Sequence, residues 1–237
     1  MELLTYSEIA STQDTARQLA LNGHLLPFAV AAETQLRGRG RRGKNWDSPR
    51  GGLWLTVALA VPSPELVRQA AIAVAHAIAS VVLTETGLCT LVKWPNDLLV
   101  GRRKFCGILA ETLVQPDTTI LLAGIGVNVN NAVPTEQLPR ATSLKAELGH
   151  NVDMQHLTEG VIAAVELDLD ALVVRGFGVF ASWIEASLAL RNEIVTVEFN
   201  DQRESGRVVG LSRTGALLLE NPDGSLKEVD AGGVYNW

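Results

Sequence analysis

Positive charge, glycine and a large aromatic crowd into one short stretch, Gly38–Trp46 (GRGRRGKNW). Six of the chain's 20 lysines and arginines fall between Arg37 and Arg50: Arg37, Arg39, Arg41, Arg42, Lys44 and Arg50. Guanidinium groups are planar, permanently charged donors that match carboxylates and phosphates. Glycines let backbone N–H groups come close to a ligand. Trp46 offers a face on which a base can stack. Two phosphate-binding patterns also fit. Gly38, Gly40 and Gly43 satisfy G-x-G-x-x-G, and Gly38, Gly43 and Lys44 satisfy the first seven positions of a P-loop. Both patterns need a helix whose N-terminus faces the phosphate. Here Trp46–Gly52 (WDSPRGG) leads into an apolar run, and Asn45 stands where a P-loop needs Ser or Thr. The loop is read as neither. Its glycines carry high conformational entropy, and its arginines repel one another until an anion arrives. It is expected to be a lid that a ligand orders.

Further polar clusters recur along the chain. They are Ser11-Thr12-Gln13, Gln35, Lys93–Asp97 (KWPND), Lys104–Glu111 (KFCGILAE) and Gly124–Asn130 (GIGVNVN). The elements that must position them follow from periodicity and punctuation. Ser11 or Thr12 caps a helix that runs to Leu21 and stops at Asn22-Gly23. Pro27–Glu33 and Leu53–Ala60 read as buried strands around the basic loop. Pro62–Pro64 opens a long helix ended by Gly87. Leu91–Trp94 is a short strand, broken by Pro95. Leu98–Val100 and Lys104–Leu113 form a hairpin around Gly101-Arg102. Thr119–Asn128 is another long strand, and Val152–Arg175 and Phe177–Ala189 are helices. From Arg191 the texture changes to short strands at Ile194–Phe199, Ser205–Leu211, Ala216–Glu220 and Leu226–Val229. Turns fall at Asn200-Asp201, Arg213–Gly215 and Pro222–Gly224. Four or five short strands in that stretch suggest an appended small barrel. No internal repeat or low-complexity linker is apparent.

Composition bounds the function. The chain has 237 residues, 47% of them hydrophobic, enough for one or two domains with a sizeable core. Its formal net charge is −6, which disfavours general polyanion binding, because nonspecific nucleic-acid affinity comes from neutralising phosphates. The two cysteines, Cys89 and Cys106, have no metal-ligand spacing and are expected to be buried free thiols in a reducing compartment. The N-terminus lacks a signal-peptide pattern. The apolar stretch Ala70–Leu83 contains His76 and is too short to span a bilayer. A soluble, cytoplasmic protein is expected.

In order and spacing these motifs resemble those of the biotin protein ligases, over nearly the whole chain: Ser11-Thr12, GRGRRG with Trp46 and GGLW, KWPND, K-x-x-G-I-L-x-E, G-I-G-x-N-V, ATSL at Ala141–Leu144, and the small C-terminal barrel. The resemblance implies an α+β fold: a mixed-sheet catalytic domain of the biotin/lipoate ligase type over residues 1–189, and an SH3-like β-barrel over residues 190–237. It implies that the biotin carboxylate attacks the α-phosphate of ATP, giving biotinyl-adenylate and pyrophosphate. The acyl group then passes to a lysine of a biotin carboxyl carrier protein or domain, of acetyl-CoA carboxylase or a related carboxylase. ATP and Mg2+ are the expected cofactors.

By position, Lys104 bridges the biotin carboxylate and the α-phosphate; a plain hairpin-turn lysine is the alternative. Arg39 and Arg41 approach the same anions, Arg41 in a catalytic role, and Gly40 supplies backbone donors. Arg42 accompanies them or faces solvent. Ser11, Thr12, Gln13 and Gln35 are assigned to biotin's ureido ring, although the family usually has Asn where this chain has Gln13; Ser11 and Thr12 also suit plain helix capping. Trp46 is assigned to adenine. Asn128 is either an adenine-reading amide or a strand-end turn residue. Asn96 and Asp97 either position Lys93, a nucleotide or Mg2+, or belong to a structural KWPND. The chain begins at the catalytic domain, so a monofunctional enzyme without a DNA role is expected, acting as a monomer or homodimer away from membranes. Lipoate or octanoate ligases and transferases share the fold and are the nearest enzymatic alternative. A nucleic-acid module built on the basic loop is the alternative of another class.

Overall fold

The computed structural model describes residues 1–199 and 202–235. Its larger part is a seven-stranded mixed sheet. In chain order the strands are β1 (Glu2–Ile9), β2 (Phe28–Gln35), β3 (Leu53–Val61), β4 (Leu91–Lys93), β5 (Asp97–Val100), β6 (Arg103–Val114) and β7 (Thr119–Val127). Their spatial order is β1-β2-β3-β7-β6-β5-β4. Only the β1–β2 pair is parallel. The strand β1 was not expected from sequence. It is an edge strand with one neighbour, and its charged and polar residues mask the alternation that marks a half-buried strand.

Helix α1 (Thr12–Leu21) begins at Ser11, whose side chain accepts from the Asp14 N–H, and ends at Asn22. It covers one face of the sheet, over Phe28, Val30, Ala58, Ile120 and Leu122. Residues of opposite parity, among them Ala29, Val57, Leu121 and Ala123, point to the other face, as the period of two requires. There they meet α2 (Val67–Thr86) and α4 (Met154–Arg175). This double burial explains why β3 reads as a continuous apolar run. Gly87, at φ 71°, stops α2. With the 3-10 turn Pro64–Leu66, α2 makes a 23-residue segment long and apolar enough, by length and composition, to cross a membrane. The sequence expectation missed this because it counted only the central Ala70–Leu83. Here the segment is a core helix, with Ile72, Val74, Ile78 and Val82 fully buried.

The expected second helix after α4 is shorter than anticipated: a 3-10 turn Phe177–Phe180 and α5 (Ala181–Ser187). A five-residue helix, α3 (Leu144–Leu148), capped by Ser143, was not expected at all. Beyond α5 lies a five-stranded antiparallel sheet of β8 (Ile194–Phe199), β9 (Gln202–Leu211), β10 (Leu217–Glu220), β11 (Leu226–Val229) and β12 (Gly233–Tyr235), in the order β11-β10-β9-β8-β12. The turn expected at 200–201 lies outside the described residues. This sheet shares the core of the larger one through Val195, Val197, Val208, Leu217 and Leu219. The Trp94 indole N–H donates to the Gly215 carbonyl (3.0 Å), and the Ala189 N–H to the Val92 carbonyl (2.8 Å). Cys106 is buried as expected, and burial pushes its thiol pKa up. Cys89 is exposed instead: it lies just past the end of α2, where the chain turns back toward the sheet.

Candidate active site

On the face covered by α1 the sheet is left bare beyond the N-terminus of the helix. Register sets the floor there. Thr56, Gly124 and Leu109 form one row across β3, β7 and β6, and Trp54, Gly126 and Gly107 form the next. The glycines leave room directly on the sheet. A Cβ at Gly124 would fall 2.6 Å from Gln13 Oε1, and one at Gly126 2.5 Å from Trp46 Nε1. The basic loop closes over this floor. The result is a chamber of about 640 Å³ that every sequence-predicted site residue lines.

One end is neutral and hydrogen-bonded. The Thr12 N–H and hydroxyl both donate to Gln35 Oε1 (2.8 and 3.1 Å), and Gln35 Nε2 donates to Ser48 Oγ (2.8 Å). The Thr56 hydroxyl reaches Thr12 Oγ1 (2.9 Å) and Gln13 Oε1 (3.2 Å). Gln13 Nε2 is shared among Glu111 and the carbonyls of Leu109 and Leu122. Gln13, though on the chamber wall, therefore spends its amide inside the protein. Ser11 Oγ accepts from Asp14, which leaves its own hydroxyl proton for a ligand. Thr56 and Ser48 were missed. A lone threonine in the apolar run LWLTVALA is the signal that marks Thr56.

The other end is strongly cationic. Seven cations line the chamber as a whole (Arg39, Arg41, Arg42, Lys44, Lys93, Lys104 and Arg140) against the carboxylates Asp47 and Asp97, in a chain of net charge −6; of these, Arg39 lies toward the Gln13 side, held by Asp14 and Glu111. Lys104, the second residue of β6, places Nζ 2.6 Å from Asp97 Oδ1 and 5.0 Å from the centroid of the Trp46 ring. Its backbone is tied at both polar atoms. The Lys104 N–H donates to the Arg140 carbonyl, and the Lys104 carbonyl accepts from the Thr142 N–H. The lysine is thus both a hairpin residue and a chamber residue.

KWPND likewise has two functions. Trp94 is buried against the C-terminal sheet, and Asn96 donates to the Ile108 carbonyl (2.8 Å). Lys93 and Asp97 face the chamber as a cross-strand pair. Asn128 donates to the Thr142 carbonyl and accepts from Asn131 Nδ2, so its amide shapes the turn after β7 while lining the chamber.

The loop itself is one 3-10 turn, Arg41–Gly43, flanked by the bridges Arg39–Asn45 and Gln35–Ser48, and the next strand is β3. No helix follows the glycines, as the rejection of the phosphate-loop patterns requires. Its arginines are not simply held apart by mutual repulsion, because each has found an acceptor within the chain. Arg39 pairs with Asp14 (2.8 Å) and Glu111 (3.1 Å). Arg41 donates to Asn96 Oδ1 (3.1 Å) and the Gly232 carbonyl (3.3 Å). Arg42, at φ 57°, donates to the Glu198 carbonyl (3.0 Å) and lies over Phe199. Burial, then repulsion from Arg42, lowers the pKa of Arg41, and Asp97 opposes them. Burial alone would raise Glu111, but hydrogen bonds from Gln13 and Arg17 and the nearby guanidinium charges bring it below the usual carboxylate range. Trp46 Nε1 is, among the described residues, the buried side-chain polar atom without a hydrogen-bond partner. The indole rests on the glycine floor, under Lys104.

Among the described residues no group of three or more His, Cys, Asp or Glu converges to hold a metal. Asp97, the carboxylate considered for magnesium, is bound to Lys104 instead. The residues therefore provide no protein cage for that ion.

A neutral hydrogen-bonding end joined to a polycationic end defines a site for an acyl acid and a polyphosphate. Residues 7–130 match the model of the biotin/lipoate A/B protein ligase family, and residues 192–235 match the biotin protein ligase C terminal domain. The chain belongs to the biotin/lipoate A/B protein ligase family. It is 31% identical over 236 residues to the bifunctional ligase/repressor BirA of Bacillus subtilis, covering 95% of this chain and 71% of that one. It is 31% identical to the biotin–[acetyl-CoA-carboxylase] ligase of Paracoccus denitrificans over 82% of this chain and 85% of that one. The biotin protein ligase from Aquifex aeolicus in complex with biotin and ATP superposes with a TM-score of 0.86 at 28% identity, covering 99% of this chain and 97% of that one.

Proposed function

We propose that the protein attaches biotin to a specific lysine of a biotin carboxyl carrier protein or domain, using ATP and a biotinyl-adenylate intermediate. The observation that carries the reading is the two-ended chamber. Biotin's neutral ureido ring suits the Ser11, Thr12 and Gln35 end, and its carboxylate and the phosphates of ATP suit the cationic end. Two anions must meet for the carboxylate oxygen to bond to the α-phosphorus, so the site needs positive charge already fixed between them. Lys104, held by Asp97 and by its tied backbone, supplies it at that junction, with Arg41 beside it. When pyrophosphate leaves, the mixed anhydride stays under the lid, away from water. The ε-amine of the acceptor lysine then attacks the acyl carbon, and AMP departs.

Magnesium fits as an ion carried in on the triphosphate, as is usual for Mg2+ bound by few carboxylates and several phosphates. Lipoate and octanoate share the family's chemistry, but the match of residues 192–235 to a biotin protein ligase C-terminal domain favours biotin. We assign the protein to the cytoplasm, where ATP is available and the exposed Cys89 stays reduced. The test is release of pyrophosphate from ATP with biotin or lipoate added. Release with biotin at least a thousandfold faster than with lipoate is expected, because a site built to hydrogen-bond one substrate rejects another that leaves its polar groups unpaired, by roughly 10⁴-fold. Equal release with both acids, or none with biotin, would refute the reading.

A further inference from the structure

We propose that the tandem arginines of the lid divide two tasks: Arg41 serves the chamber, while Arg42 is a positioning residue that fastens the lid to the C-terminal sheet, against Phe199 and the Glu198 carbonyl, and so slows the escape of biotinyl-adenylate. The inference rests on the functional reading above. Arg41 donates to Asn96 Oδ1 (3.1 Å) in the chamber wall. Arg42 follows it with φ 57° and ψ 35°, in the left-handed region that costs a residue with a Cβ. That turn sends two neighbouring like charges to different acceptors. Arg42 Nη2 donates to the Glu198 carbonyl (3.0 Å), and its guanidinium carbon lies 5.6 Å from the centroid of the Phe199 ring. A strained backbone persists where its surroundings over-determine it. These two contacts hold Arg42 in place.

The seat belongs to a packed sheet. Glu198 and Phe199 end β8, and Glu198 lies directly opposite Gly233 of β12. The residue before Gly233, Gly232, gives its carbonyl to Arg41 (3.3 Å). Both arginines therefore touch the same end of the β8–β12 ladder. The two strands are close there: a Cβ at Gly232 would fall 2.5 Å from Val197 Cγ1. Val197 and Val234 are buried beneath. At its other side the lid is tied by Arg39 to Asp14 and Glu111. The lid thus bridges the two sheets, and opening it means parting Arg42 from Phe199.

Phe199 is suited to test this because it stands apart from both the core and the chemistry. Its side chain is 42% exposed, and it does not line the chamber. A cation over an exposed ring shifts an open–closed equilibrium by roughly two- to fivefold. A lid that closes less completely releases the mixed anhydride sooner and admits water to it.

The test uses the intact chain. Trypsin nicking of the ligand-free protein after Arg41 or Lys44 reports how often the lid opens, because cleavage follows the population of the open form. Labelled biotinyl-AMP, formed in place from biotin and ATP and chased with unlabelled biotinyl-AMP, reports how well the closed lid retains it. Phe199→Ala should raise both rates about two- to fivefold, with single-turnover pyrophosphate release within about twofold of wild type. Phe199→Trp, which restores a ring under the guanidinium, should return both rates to the wild-type values or below. Arg42→Ala also loses the Glu198 hydrogen bond and should raise escape about tenfold. Adding Phe199→Ala to it should change escape no further, because the ring then has no cation to hold. Either rate unchanged in Phe199→Ala would overturn the assignment, as would multiplied effects in the double variant. Should Phe199→Ala not fold, wild-type nicking in Arg42→Ala would overturn it. If wild type releases no pyrophosphate with biotin, the functional reading itself falls, and the nicking rates still decide whether Arg42 and Phe199 fasten the lid.

Discussion

Replacing Lys104 by Met removes the cation at the junction of the two anions and keeps most of the side-chain volume. Two unit charges about 4 Å apart at an effective dielectric of roughly 20 repel by about 4 kcal/mol. Lys104 is placed to cancel most of that, with Arg41 offsetting part of the remainder. A loss of about 3 kcal/mol in transition-state stabilisation is expected, or about a hundredfold in rate. The fold should tolerate the change. The Lys104–Asp97 pair is largely buried, with side chains 31% and 18% exposed, but Asp97 keeps Lys93 opposite it in the hairpin, so the loss should lie between the exposed and fully buried cases, at about 2 kcal/mol. For a chain of this length that is a shift in Tm of about 4–8 °C. The assay is single-turnover release of pyrophosphate with saturating biotin and ATP. A folded Lys104→Met protein that releases pyrophosphate within threefold of wild type would refute the reasoning.

Gly126→Ala places a methyl group 2.5 Å from Trp46 Nε1, which must displace the indole assigned to adenine at a cost of about 1–3 kcal/mol; in steady-state kinetics the KM for ATP should rise about tenfold and more than the KM for biotin, and an unchanged KM for ATP would count against that assignment. Thr56→Val removes a hydroxyl bonded to Thr12 and Gln13 in the buried network; unfolding in urea should show a loss of about 1–3 kcal/mol, and no loss would show the network to be dispensable. Glu111 has a folded pKa below its unfolded 4.5, so its contribution to stability is complete above that pH and disappears as the pH falls through the lower, folded value. Comparing urea midpoints at pH 6 and pH 3, Glu111→Gln should lose less stability on acidification than wild type, and equal losses would count against the paired state.

Much of this site was readable because its residues obey local rules. Ser11 caps α1, Gly87 ends α2, and Leu98–Val100 pairs with the Lys104 strand as the expected hairpin around Gly101, so Lys104 could be placed at the head of a strand from sequence alone; the pairing of Lys93 with Asp97 across β4 and β5 was not expected. What escaped the reading depends on distant partners. The strand β1 reads as a polar terminus until it pairs with β2. Thr56 gains its importance only when α1 lays Thr12 and Gln13 across it. The acceptors that hold the lid arginines come from Asp14, Asn96, Glu111, Glu198 and Gly232, far apart in sequence, so repulsion alone was the natural expectation. Trp46 next to a basic run suggests stacking, but its place on the glycine floor depends on the register of β3, β6 and β7. The apolar length of Pro64–Thr86 carries no mark of what covers it, which is set by α4 and the sheet.

The account's central claim is that one chamber activates biotin and delivers it to a lysine. The most direct measurement incubates the protein with ATP, magnesium and either biotin or lipoate, together with a biotin carboxyl carrier domain, and reads the intact mass of that domain. The account predicts a single biotinyl addition on one lysine, dependent on ATP, and no addition from lipoate. An unmodified carrier domain with biotin, or an equal yield of the lipoylated domain, would contradict it.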